Sequence, residues 1–542
     1  MLKVVGASWL QTRISTYILV AVALLGVGAI ILGEYGRAKN DGTYSATVWW
    51  KHRSGYRIDF WGQGNDLESL PRGVARGYYK TGIYETGWST IEIETSSEYP
   101  DDVQAYAAGL LEGSLTWQLI YHHWHNTVRP VCVSRAALCY KMRQYLRQNA
   151  ASAREKAALL RAEDPYWHMV HLYYEQLNGL AEGWRFAVQR RGQDAEIKPD
   201  DFLWMALAPD LPDLELAGNG SRPHAAADGM LVLKAIEHGP RGPLVGLAHN
   251  TATPYARMLR LFKRYKFAYH LSPAGGASAA PGQAVAMSSY PGALSSQDES
   301  YLVEGPRGEL LLAGTPLAAA EPRLWGGRLQ AEDRLLSAAR LMAANRLATD
   351  GLAWAQLLER QAAAGGAAGR QWLAVEPRYG RVRLVEQLPA GPTQHSDRSV
   401  EFARQGFLGL AGAPLSEAAR GPPGARAAAA AARAAQLALL QANVSSVEAL
   451  RELMRGPGDA ALAQLLAYRG DLAAVPRPHG VVDSKLFLFD LSGVLAFEGR
   501  CGPPRRPHAP AFDWAASFPN SSHLGQPEVF AFDSFAPRWV WL

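Results

Sequence analysis

Apolar and polar positions alternate most regularly at Trp88–Thr95 (WSTIEIET), which predicts a half-buried β-strand. Tyr56–Asp66 (YRIDFWGQGND) predicts a strand running into a glycine-rich turn. From Asp101 to Asn126 the spacing becomes helical and aromatic, and Glu112, Trp117, Tyr121, His122, His123, Trp124 and His125 crowd together. Ala150–Arg190 predicts a second helical region with charges on one face, and Phe202–Glu215 a short strand or helix. Gly218–Asp228 has the composition of a loop. Met230–Lys234 and Gly242–Ala248 predict two strands joined by a Pro/Gly turn, with His249, Asn250 and Thr251 at the exit. Ser288–Tyr301 is turn-rich, Leu310–Ala313 predicts a short strand, and Gln371–Val375 with Arg381–Glu386 a strand pair. Residues 411–438 hold 14 alanines in 28 positions, a helix by propensity with little side-chain chemistry. No repeat of fixed period is present.

The N-terminus follows a different pattern. Tyr17–Leu32 is an uncharged apolar run of 16 residues, preceded by Lys3 and Arg13 and ended by Glu34. A basic flank before such a run predicts a signal peptide or uncleaved signal anchor over 1–33, with the remaining chain translocated. The expected location is therefore the secretory pathway, with membrane contact only through this segment. Asn219, Asn443 and Asn520 each open an N-x-[ST] sequon and become candidate glycan acceptors.

Composition narrows the chemistry. With 48% apolar and 19% charged residues, the 542-residue chain can bury a large core. A net charge of +5 is too dilute to imply nucleic acid. Three cysteines exclude a disulfide-dense scaffold and a Cys-rich zinc module. Cys132 and Cys139 are either a small disulfide-closed loop in an oxidising lumen or two buried thiols, and Cys501 is left over. His122 and His125 could share a helix face, but no third ligand or HExxH accompanies them, so packing is the better reading and no metal is expected. There is no GxSxG elbow, Walker A or Rossmann glycine pattern, and no cofactor is implied. Arg469-Gly470-Asp471 spells an adhesion tripeptide of very low information.

Longer motifs carry more. YRIDFWGQGND at 56–66, GWSTIEIET at 87–95, QAYAAGLLEGSLTW at 104–117, AHNT at 248–251, YPGALSS at 290–296 and HLGQPE at 523–528 resemble landmarks of the phospholipase B-like proteins, from about residue 45 to the C-terminus. The resemblance implies an α+β, N-terminal-nucleophile hydrolase-like αββα sandwich, with two stacked β-sheets between helical layers. Residues 34–228 and 229–542 would be two segments of one composite fold. It implies a secreted or lysosomal protein acting on phospholipid or N-acyl substrates, and a Cys132–Cys139 bridge. In the family, a precursor cuts itself before a cysteine, which then attacks an ester or amide carbonyl with its own α-amine as base.

Carried over position by position, the pattern breaks where the chemistry should be. The family's Cys-Ser-Ala-Leu-Ile-Lys strand aligns its lysine with Lys234, which puts the nucleophile position at Gly229. His-Asn-Thr-Trp matches His249, Asn250 and Thr251, with Ala252 for the tryptophan. In Thr-Tyr-Asn-Asn-Gln-Trp, aligned with 367–372, Gly369 and Arg370 replace the asparagines, one of which is a candidate oxyanion donor. Thr315 and Arg433 match further site positions. The expectation is a family hydrolase with impaired lipid ester or amide hydrolysis, the alternative an inactive pseudoenzyme that binds lipid or a partner.

Overall fold

The structure, a computed structural model, describes residues 16–24, 42–63, 66–206, 228–239, 242–274, 276–317, 335–360, 369–388, 393–417, 425–456, 460–505 and 509–541. Four strands come first: β1 (Thr43–Lys51), β2 (Gly55–Gln63), β3 (Ala75–Lys80) and β4 (Trp88–Thr95). The helices Asp101–Leu115, Trp117–Ser134, Ala136–Leu160, Pro165–Arg190 and Pro199–Met205 follow. The chain returns to strands with β5 (Asp228–Gly239), β6 (Gly242–Pro254), β7 (Arg260–Lys266), β8 (Ala284–Ser289), β9 (Ser300–Gly305) and β10 (Gly308–Pro316). After the helices Ser337–Leu347 and Gly351–Glu359 come β11 (Arg370–Glu376), β12 (Arg381–Gln387), β13 (Gln394–Asp397) and β14 (Phe407–Leu410). The helices Ala425–Leu440, Val447–Arg455 and Ala460–Leu466 precede β15 (His479–Asp490) and β16 (Gly493–Cys501).

These strands form an eleven-stranded sheet, β13-β12-β11-β10-β9-β8-β7-β4-β3-β1-β2, and a five-stranded sheet, β14-β5-β6-β15-β16. The large sheet is antiparallel except between β4 and β7. The period of two then sorts side chains into layers. Leu311, Ala313, Leu373 and Val375 of the large sheet meet Leu231, Leu233, Val245, Leu247, Phe487 and Phe489 of the small one in a common core. Their sequence neighbours Leu312, Trp372 and Ala374 face the other way, against Leu110, Leu111, Leu180, Leu341 and Trp354 of the helices. Met230, Val232, Ala248 and Leu486 pack beneath Leu437, Leu450, Leu453 and Leu466 on the far side of the small sheet. The result is an α+β sandwich of four layers, helix–sheet–sheet–helix.

The first helical layer rests on an unusually close helix pair. A Cβ built on Gly109 would lie 1.9 Å from the Gln176 carbonyl oxygen, one on Gly113 2.1 Å from that of Leu180, and one on Gly183 2.2 Å from that of Leu110. The helices Asp101–Leu115 and Pro165–Arg190 therefore touch backbone to backbone, which only glycine allows. Asp164 caps the second helix by accepting from the Tyr166 N–H, with Pro165 in its first turn.

Several expectations need adjusting. β4 has the expected limits but is buried on both faces. Ile91 and Ile93 lie under the helices, while Glu92 and Glu94 are buried by ion pairs with Arg264 at 2.8 Å and Arg76 at 2.6 Å. His249, Asn250 and Thr251 are not at a strand exit but inside β6, which runs on to Pro254. Of the expected alanine-rich helix, residues 411–416 are not helical, interrupted by Gly412 and Pro414, and Ala425–Leu440 are helical, while residues 418–424 lie outside the described residues. Residues 199–205 are helical, and residues 207–227, with Asn219 and all of the expected loop except Asp228, which opens β5, lie outside the described residues.

Residues 16–24 are helical and exposed, and no helix among the described residues is long and apolar enough to cross a membrane. Residues 1–15 and 25–33 of the expected leader lie outside the described residues. Cys132 and Cys139 form a disulfide across the junction of Trp117–Ser134 and Ala136–Leu160, with Cα atoms 4.9 Å apart. His123 stacks on Tyr290 at 5.5 Å between ring centres. Arg469 and Asp471 are buried and paired with each other, so the tripeptide points inward.

Candidate functional site

Gly229 lies in β5 opposite Thr251 of β6, and Leu231 lies opposite His249. Since Leu231 and Leu233 face the space between the sheets, alternation turns Gly229, His249 and Thr251 to the same space. Gly229 and His249 are diagonal neighbours on one ladder, a separation of roughly 7 Å. On the other side of β6, Lys485 and Asp483 of β15 sit opposite His249 and Thr251. Thr315 of β10 comes from the facing sheet. A Cβ on Gly229 would lie 3.0 Å from Thr315 Oγ1 and 2.9 Å from the Asn250 carbonyl oxygen. A larger side chain at 229 therefore requires one of them to move.

Beside these residues is a closed ring of four fully buried charges. Arg260 of β7 pairs with Asp298 and, at 2.8 Å, with Asp483. Lys485 pairs with Asp483 at 2.6 Å and Asp298 at 3.3 Å. Two cations and two anions alternate, which is the condition for tolerating charge in an interior. Burial alone would raise the Asp298 pKa, but Arg260 and Lys485 beside it hold the carboxyl well below the usual carboxylate range. Lys485 Nζ also donates to Thr251 Oγ1 at 2.7 Å. Burial, reinforced by the Lys485 cation, pushes the His249 pKa far below the ordinary imidazole value, so the ring is neutral. His249 Nδ1 and Thr315 Oγ1 are buried with no hydrogen-bond partner among the described residues.

His249 and Thr315 thus converge on Gly229, whereas two of the residues expected with them do not. Asn250, one position on from His249, faces the opposite side of β6, where its Nδ2 donates to the Met454 carbonyl at the end of the helix Val447–Arg455. Arg433 stands on the outer helix Ala425–Leu440 and donates to the Ala411 carbonyl at 3.1 Å. Arg370, in place of an asparagine, pairs with Glu299, a residue held at φ 62° whose carbonyl accepts the Gly314 N–H. Gln371 faces the sheets' interior next to Thr315 and donates to Glu386 and to the Ala413 carbonyl, each at 2.6 Å.

The sequence reading missed Arg260, Asp298, Asp483 and Lys485. A signal existed for the last two: in the apolar strand VVDSKLFLFD they occupy alternate positions in phase with Phe487 and Phe489, which makes them inward-facing. Among the described residues there is no group of three His, Cys, Asp or Glu that could hold a metal ion.

A family model described as Phospholipase B matches residues 75–537. The chain is 37% identical over 426 residues to the phospholipase B-like lamina ancestor of Drosophila melanogaster, covering 74% of this chain and 64% of that protein, just under two thirds of its length. It is 29% identical over 519 residues to phospholipase B-like 2 of Homo sapiens, covering 86% of each. It is 26% identical over 557 residues to phospholipase B-like 3 of Caenorhabditis elegans, covering 94% of this chain and 93% of that protein.

Proposed function

The chain belongs to the phospholipase B family, and on that premise we propose that it retains a lipid-directed role while its hydrolysis of lipid esters or amides is impaired to the point of a pseudoenzyme. One observation carries this reading: Gly229, which the resemblance aligns with the family's nucleophile, faces the inter-sheet space beside a neutral His249 with no thiol or hydroxyl of its own. Covalent catalysis needs an attacking atom and a base that activates it. Thr251, directly opposite, is no substitute, because Lys485 Nζ is tied to two aspartates and donates a hydrogen bond to the hydroxyl oxygen instead of accepting one from it. Replacing an oxyanion asparagine by an ion-paired Arg370 would cost a further factor of roughly 100 to 1000 in rate. Losing the attacking group also removes the means of self-cleavage, so the chain stays in one piece.

The hydrolase reading keeps one supporting observation. Thr315 Oγ1 has no hydrogen-bond partner among the described residues and lies next to Gly229, so a threonine hydroxyl is present at the right place. The two readings separate in a turnover assay with phosphatidylcholine and N-acylethanolamine as substrates. We expect no release of fatty acid above a denatured control; release abolished by Thr315→Val would overturn the pseudoenzyme assignment in favour of Thr315.

We further propose that the protein works in the lumen of the secretory pathway or lysosome, or is secreted, entering through its basic and apolar N-terminus. A Cys132–Cys139 disulfide suits an oxidising compartment. Asn443 and Asn520 are exposed, as glycan acceptors must be.

A further inference from the structure

A cavity of about 1340 Å³ lies over the helix-covered side of β1 and β3, away from the inter-sheet space that holds Gly229. It is larger than the roughly 300–1,000 Å³ of ordinary small-molecule sites. Phe60, Tyr79, Ile83, Leu115, Trp117 and Leu119 give it an apolar and aromatic wall. Its charged lining is uneven: Arg190 and Arg191 at the end of the helix Pro165–Arg190, against a single carboxylate, Glu85. Neither arginine has an ion-pair partner among the described residues. Arg190 is held in place with its guanidinium 4.2 Å from the centre of the Phe60 ring, which leaves its N–H edge free to donate. His122 adds a neutral ring whose Nδ1 is buried with no hydrogen-bond partner among the described residues.

We propose that this cavity binds one single-chain anionic amphiphile, with its hydrocarbon chain along Phe60, Tyr79, Leu115 and Leu119 and its carboxylate or phosphate head on Arg190 and Arg191. Apolar and aromatic side chains beside two exposed guanidinia that have no ion-pair partner among the described residues match that chemistry better than they match a sugar or a free anion. The site does not depend on the Gly229 interpretation and would exist equally in an active hydrolase.

The test is displacement of a fluorescent dodecanoic acid from the purified full chain, below micellar concentrations. Competitors are oleate, oleoyl lysophosphatidate, oleyl alcohol and inorganic phosphate. One site per chain is expected, with oleate or lysophosphatidate at least tenfold stronger than oleyl alcohol and no competition by phosphate. The better of the two acids identifies the head group. Arg190→Ala with Arg191→Ala should weaken the acids at least tenfold and leave the alcohol unchanged. Gln118→Trp, an exposed position on the wall, should weaken all three tenfold at unchanged melting temperature; Thr81→Trp serves the same purpose if that variant melts early. No saturable binding, equal affinity for alcohol and acid, or binding indifferent to both the arginine and the filling variants would overturn the proposal. None of these substitutions touches Gly229, His249 or Thr315, so a negative result here leaves the turnover assay to decide the hydrolysis question separately.

Discussion

Lys485 shows how much of the site is a matter of charge placement. It is fully buried, it joins two aspartates, and it reaches Thr251 across the ladder. Removing one member of a buried ion network leaves the others uncompensated and costs about 3–5 kcal/mol, a large share of a typical stability of about 5–15 kcal/mol. Lys485→Met should therefore lower the urea midpoint strongly, and Lys485→Met combined with Asp298→Asn should recover part of the loss. A Lys485→Met protein as stable as the wild type would mean the ring contributes nothing. The ring explains why residues at this site read poorly from sequence. Aspartate and lysine inside a strand look like turn or surface, and only their phase with Phe487 and Phe489 marks them as inward. Gly229 is the opposite case: its lack of chemistry was legible, but its contact with Thr315 was not, because that neighbour comes from the other sheet.

The clearest element is the glycine-mediated helix pair. Gly109 and Gly113 on one helix and Gly179 and Gly183 on the other allow carbonyl oxygens within about 2 Å of where a Cβ would stand. A backbone carbonyl cannot swing aside as a side chain can, so Gly109→Ala or Gly179→Ala should force the helices apart and cost about 3 kcal/mol, readable as a shift in denaturation midpoint. A neutral alanine at both positions would refute the close contact. Elements with their own local signature were legible in the sequence: β4 by alternation, β11 and β12 as a pair, and the first helices by period. What escaped was governed by tertiary contact. β6 continues through His249, Asn250 and Thr251 because β5 and β15 pair with it on both sides, and nothing in those three polar residues announces a central strand. Likewise, the pairing of Glu92 and Glu94 with arginines buries the face of β4 that alternation assigns to solvent.

For the whole molecule, the four layers bury histidines as well as apolar side chains. His123 and His249 are completely enclosed, and burial, reinforced by nearby cations, lowers both pKa values well below the ordinary 6.5. His171 is lowered to about 4 by partial burial and by Arg161. Because the folded pKa is depressed, the unfolded chain binds more protons below pH 6.5, and stability falls as the pH drops from there towards the folded values. Each fully buried ring contributes a slope of up to about 1.4 kcal/mol per pH unit. Asp298 acts only at lower pH, since its contribution is present above the unfolded carboxylate value and is lost as the pH falls through its depressed folded value. The melting temperature should therefore decrease between pH 7 and 5, less steeply in His249→Leu; parallel curves for the two proteins would exclude His249 as a cause. The layered architecture was legible in the sequence only through the family resemblance, because no single segment records which sheet it will face.

Whether the chain can still cut itself is the most direct test of the claim that hydrolysis has lost its nucleophile. Intact mass and N-terminal sequencing of the protein purified from producing cells would decide it. A single chain with no cut near residue 228 is the result expected from Gly229. Two fragments with a new N-terminus between Ala225 and Met230 would contradict it.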